Sequence, residues 1–164
     1  MKARIVNIEE IPCQEISHGD RYECKVAWAG ARTGAKKLGY NITVLPPGKR
    51  PFPYHAHRGH EEMFFILEGS GSIRIDGKSH PVREGDFVCL PPGRDSAHQM
   101  INDSSAPLRY LAVSTMEVPE VVEYPESGKL GVFAGAPPGR PASEDSIRHF
   151  TMVEDGVEYW QGEK

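Results

Sequence analysis

A chain of 164 residues, 38% apolar and 26% charged, is long enough to bury one core without disulfide staples and has the composition of a soluble globular protein. Its net charge of −4, from 23 acids and 19 bases with no basic block, excludes the electrostatic footprint of a nucleic-acid binder and of a polybasic membrane anchor. Three widely spaced cysteines, Cys13, Cys24 and Cys89, with no Cys-x-x-Cys among them, argue against a disulfide framework or a thiolate zinc site.

Residues 1–10 hold no apolar run long enough for a signal peptide. The longest uninterrupted apolar run, residues 63–67, is far too short to cross a bilayer, so a cytoplasmic protein is expected. Residues 38–44 alternate apolar and polar side chains, the period of a half-buried strand, and Pro46-Pro47-Gly48 stops them. Residues 54–58 and 62–67 are the next predicted strands, followed by a break at Gly69-Ser70-Gly71. Residues 73–75, Asp76-Gly77 and residues 78–82 spell a hairpin, because Asp-Gly supplies the positive φ of a tight two-residue turn. Residues 87–90, 97–101 and 108–114 complete the series. Turn signals thus recur roughly every eight to twelve residues, the rhythm of an all-β barrel or sandwich. Further on, residues 117–124 are expected to hold one short helix limited by Pro119, residues 134–146 a loop, and residues 153–158 a last hairpin. The chain is expected to be one domain over residues 1–164, with a barrel core over about 38–116 and an extension over 117–164 packed against it.

Candidate chemistry concentrates in two stretches. His55-Ala56-His57 places two imidazoles on one face of a strand, side by side as two ligands of one ion must be. His60, Glu61 and Glu62 follow closely, and His98 comes later on a strand after a Gly-Pro-rich turn. Imidazole and carboxylate together suit first-row divalent metals. Spacing aside, Glu61 reads as a solvated loop acid and His60 as a rim residue, while His18, His80 and His149 are isolated.

The segment from Gly48 to Gly69, containing His55-x-His57 and Glu62, resembles the first motif of the cupin family. The segment from Gly85 through Pro91-x-Gly93 and His98 to Asn102 resembles the second. The resemblance implies a double-stranded β-helix, a jelly-roll-like barrel with short irregular terminal arms. It also implies one divalent metal ion (Fe, Mn, Ni, Co or Zn) held by His55, His57, Glu62 and His98. The pattern is departed from by one extra residue before His55 and a longer loop, Arg94-Asp95-Ser96-Ala97, before His98. Such a site suits a metalloenzyme acting on a small oxygenated organic molecule, of dioxygenase or sugar-phosphate isomerase type. The other reading is a non-catalytic small-molecule or sugar-binding barrel. Phe64, on the face of Glu62, and Met100, on the face of His98, are expected to line the pocket; Ile66 reads as plain core. Residues 63–67 are apolar on both faces, so another sheet, a terminal arm or a second subunit must cover the second one, and a homodimer is the favoured expectation.

Overall fold

Alternating apolar positions interrupted by Gly and Pro fold into thirteen short strands and one short helix among the described residues. The structure is a computed structural model that describes residues 4–164, so the first three residues of the opening stretch searched for a signal peptide lie outside the description. In chain order the elements are β1 (Gln14–His18), β2 (Tyr22–Ala27), α1 (Ala29–Thr33), β3 (Leu38–Leu45), β4 (Ala56–His57), β5 (Glu62–Glu68), β6 (Ser70–Ile75) and β7 (Lys78–Arg83). They continue with β8 (Phe87–Leu90), β9 (His98–Ile101), β10 (Leu108–Thr115), β11 (Glu120–Tyr124), β12 (Lys129–Ala134) and β13 (Ile147–Met152). No helix among the described residues is long and apolar enough to cross a membrane.

One layer is a six-stranded sheet of order β1-β2-β3-β10-β5-β8. The other consists of β13-β12-β11-β4 and β7-β6-β9. A single antiparallel bridge between His55 and His98 joins these two smaller sheets edge to edge. The core fills the space between the layers, with Leu45, Ile66, Leu90, Leu108 and Tyr110 from the large sheet against Ile73, Val82 and Met100 from the other. Ile66 is fully buried, as its place opposite Tyr110 on the inner face requires. Asp76 and Gly77 have φ of 45° and 76°, the two left-handed residues that close the β6–β7 hairpin without splaying it. At Gly69 a Cβ would stand 2.5 Å from the Pro107 carbonyl oxygen, so only glycine lets β5 pass into β6 here.

Three expectations are corrected. Residues 117–124 form no helix: after Pro119 the chain runs as strand β11, whose Glu120 and Val122 point inward while it pairs with β12 and β4. The β-branched pair Val121-Val122 fits that pleat better than a helical turn. The last hairpin is formed not by residues 153–158 but by β12 and β13, across the loop of residues 135–146; Val153–Asp155 is a 3-10 turn. Cys89 is exposed on the outer face. The N-terminal segment also goes beyond an irregular arm, since β1 and β2 extend the large sheet.

The outer face of that sheet carries an apolar row. Phe87, Phe65, Leu111 and Ile42 stand opposite one another across β8, β5, β10 and β3. The Phe65 and Phe87 rings are 4.4 Å apart, and Phe87 is 71% exposed.

Candidate metal centre

The two candidate motifs meet where the two small sheets join. His55 and His98 exchange both backbone hydrogen bonds, at 3.1 and 2.7 Å, which sets their side chains on one inner face. His57 follows two residues on, in β4. The long loop before His98 winds as a 3-10 turn over Arg94–Ser96, and the Gly93 N–H donates to the His57 carbonyl at 2.8 Å. The extra residues are absorbed there, so the bridge to His55 survives. Glu62 comes from β5 in the facing layer, its side chain 15% exposed, whereas Glu61 is exposed and turned outward.

Each of the three imidazoles is held through Nδ1. His55 Nδ1–H donates to the Pro53 carbonyl at 2.8 Å, His98 Nδ1–H to the Ser96 carbonyl at 2.9 Å, and His57 Nδ1–H to Glu120 Oε1 at 3.1 Å. A carbonyl or carboxylate oxygen can only accept, so the proton of each neutral ring sits on Nδ1 and the lone pair on Nε2. His57 Nε2 lies 3.4 Å and His98 Nε2 3.1 Å from Glu62 Oε2. Glu62 Oε2 and His98 Nε2 are fully buried and make no hydrogen bond despite that closeness. Two acceptors facing each other in a dry site repel, and the pair is explained by a cation between them. Ligand atoms ~2.1 Å from one ion stand roughly 3.0–3.4 Å apart when adjacent, which matches both separations. The donor set therefore fits a divalent metal ion.

Ligand-type atoms of His55, Glu62 and His98 all lie within 4.8 Å of one another. His57 reaches this trio through Glu62, while its other nitrogen belongs to a second buried group with His60 and Glu120. That second group is already satisfied. The Glu120 carboxylate is 0% exposed and accepts from His57 Nδ1, from the Arg58 N–H at 3.1 Å and from the Gly59 N–H at 2.9 Å. His60, expected on the rim, is buried, with Nε2–H donating to the Glu117 carbonyl at 2.6 Å and its ring stacked on that of His57. It supports His57 from behind instead of facing solvent.

Electrostatics prepare the same atoms. Burial, then the neighbouring His98 and His57, push the His55 pKa down to about 3, so its ring is neutral at ordinary pH. Burial acts upward on Glu62, but His98, His57 and His55 together outweigh it and hold the carboxyl at about 2. Burial also acts downward on His57, and there the hydrogen bond to Glu120 and the charges of Glu62 and Glu120 prevail and raise its pKa. Glu120 was not singled out from the sequence, because it lies 63 residues from His57 in a segment with no motif.

A cavity of about 260 Å³ opens beside His55, His57 and Glu62. Its walls include Trp28, Phe52, Tyr124, Phe133 and the loop residue Arg140. Phe64 and Met100 line a smaller space of about 70 Å³ next to Glu62 and His98. Of the basic residues near the motifs, Lys49 pairs with Glu23 at 3.3 Å, and Arg58 and Arg94 both pair with Glu123.

A family model for the cupin domain matches residues 41–114. An uncharacterized protein of Methanocaldococcus jannaschii is 32% identical over 71 residues, 43% of this chain and 54% of the relative. An oxalate-binding protein of Thermotoga maritima is 38% identical over 69 residues, 42% of this chain and 54% of the relative. The chain thus spans about half the length of these two relatives. Among solved structures, a sugar phosphate isomerase of Silicibacter pomeroyi aligns with a TM-score of 0.71 at 23% identity, covering 87% of this chain and 99% of the other. That likeness is one of fold.

Proposed function

We propose that this chain, which matches the cupin domain model over residues 41–114, binds one divalent metal ion through His55, His57, Glu62 and His98 and acts on a small oxygenated organic molecule held beside that ion. The observation that carries the reading is the pair of buried, unpartnered acceptors, Glu62 Oε2 and His98 Nε2, 3.1 Å apart. Three neutral imidazoles and one carboxylate leave about one unit of positive charge on a divalent ion, and in a six-coordinate ion two positions remain for substrate or water. Such an ion supplies Lewis acidity toward a substrate oxygen. The chain supplies the rest. Pro53, Ser96 and Glu120 fix the imidazoles, and the apolar walls exclude water from the bound molecule. A dioxygenase or an isomerase of sugar-phosphate type fits this arrangement, and iron, manganese, nickel, cobalt or zinc fits the ligands.

The name of the Thermotoga maritima relative favours a second reading, in which the barrel only captures a small molecule. The test is metal analysis of protein purified without added metal, then reloading with Fe(II), Mn(II), Zn(II) and Ni(II) and screening for O₂ uptake and aldose–ketose conversion. One equivalent of metal with turnover supports the enzyme. Metal and a co-purified metabolite without turnover support the binder. No metal uptake overturns both.

A further inference from the structure

We propose that the 260 Å³ cavity selects a molecule with a flat apolar body of one or two rings carrying two adjacent oxygens that face the histidine–glutamate cluster, and that it takes this class in preference to phosphorylated sugars, which narrows the two activities named above. The proposal rests on the metal-binding reading above and specifies what binds beside the ion.

The walls are largely aromatic, and several of their polar atoms are already committed, while Asn41 Nδ2, the Tyr124 hydroxyl and Arg140 Nε and Nη1 keep free N–H or O–H groups. Trp28 Nε1–H donates to Gln14 Oε1 at 2.9 Å, the Tyr40 hydroxyl is bonded to that of Thr33, and Ser114 Oγ–H donates to the Thr115 carbonyl at 2.9 Å. Arg140 is the single Lys or Arg in the wall among the described residues, and its Nη2 donates to the carbonyls of Ala35 at 2.7 Å and Leu38 at 3.3 Å. A phosphate dianion entering here would exchange its water for one cation, Arg140, part of whose guanidinium is already taken, within mostly aromatic walls. A sugar would likewise bring hydroxyl groups against Phe52, Phe133 and the Trp28 face with no partners for them.

A flat ring meets the opposite situation. The Tyr124 ring lies 6.1 Å from that of His55 and is inclined to it by only 27°, so a planar wall begins at the cluster itself. On the other side, the loop residues Pro138 and Gly139 lie over Trp28, and a Cβ added at Gly139 would stand 3.2 Å from the indole. The volume falls just under the ~300–1,000 Å³ of pockets that hold drug-sized molecules, which limits the body to one or two rings. The oxygen pair is directed to the end of the cavity formed by His55, His57 and Glu62, where the proposed ion would sit.

The experiment uses the full chain loaded with Co(II), whose visible absorption changes when a molecule enters the metal's own shell. Three probes are titrated: 3-hydroxy-2-naphthoate, which has a chelating oxygen pair on a two-ring body; oxalate, a chelating pair with no body; and fructose 6-phosphate. Each affinity is divided by the probe's affinity for free Co(II). The expected result is that hydroxynaphthoate perturbs the Co(II) spectrum and binds about tenfold or more above oxalate on that scale, with fructose 6-phosphate weakest. Phe133→Leu should narrow the gap by weakening hydroxynaphthoate alone. Oxalate equal to or above hydroxynaphthoate, tighter sugar phosphate, or hydroxynaphthoate bound with an unchanged spectrum each overturns the substrate class while leaving the metal site standing. Failure to take up Co(II) at all overturns the metal reading itself. The comparison among probes is made on the unmodified protein and does not depend on the variant folding.

Discussion

Replacing Glu120 by Gln separates the proposed metal ligands from the group that holds one of them. Glu120 never faces the candidate ion, yet its two oxygens accept three hydrogen bonds, two at Oε1 from His57 Nδ1 and the Arg58 N–H and one at Oε2 from the Gly59 N–H. Glutamine keeps one oxygen. In its better orientation the oxygen serves His57 and Arg58, and the new NH₂ group points at the Gly59 N–H from 2.9 Å away. One buried donor is then orphaned, at a cost of ~1–3 kcal/mol. There is no room to turn aside, because a Cβ built on Gly59 would already stand 2.7 Å from that oxygen. His57 meanwhile loses its charged partner, and loss of such an orienting carboxylate costs roughly 10–100-fold in metal affinity. Urea unfolding of the metal-free protein measures the first effect, and competition with a chromophoric chelator measures the second. A variant as stable as the parent that binds metal within about twofold of it would refute the reasoning that Glu120 orients His57.

Asn102→Ala removes buried donors to the Leu45 and Ala106 carbonyls and should destabilise the fold by ~2–3 kcal/mol in urea titration while metal stoichiometry stays unchanged. Ile66→Ala, at a fully buried position, should cost ~2–5 kcal/mol and lower the melting temperature without changing metal content once the protein is folded. Metal uptake requires His57 to give up its proton, and its pKa is raised, so apparent affinity should fall as pH drops through that raised value and level off above it. His55, already neutral down to about 3, should add nothing to that slope; an affinity that does not fall as pH is lowered would contradict the assignment. Phe87→Glu places a charge in the exposed apolar row, and if a second copy covers that row the variant should sediment as a monomer where the parent sediments as a dimer.

The strands that carry the site were legible because their signals are local. Alternation over Leu38–Leu45, the Asp76-Gly77 turn and the His55-x-His57 pair each follow from residues within one element. The long loop before His98 left its position open. The backbone bridge to His55, a pairing between residues 43 positions apart, closes it. Glu120 and His60 were missed for the same reason in reverse. Their roles come only from the meeting of β11 with β4, and nothing near them in sequence marks a buried carboxylate. The helix expected over residues 117–124 failed because tertiary pairing outweighed the weak local preference of a segment beginning at Pro119. The aromatic cavity wall was equally hidden, being assembled from Trp28, Phe52, Tyr124 and Phe133, each on a different segment.

Locating the ion in a crystal by its anomalous scattering, after loading with one equivalent of Zn(II) or Co(II), reads the ligand set directly. One peak within about 2.0–2.3 Å of Nε2 of His55, His57 and His98 and of a Glu62 oxygen is the predicted outcome. A peak bound by His55, Glu62 and His98 with His57 still turned to Glu62, or a peak elsewhere on the chain, would contradict the four-residue assignment.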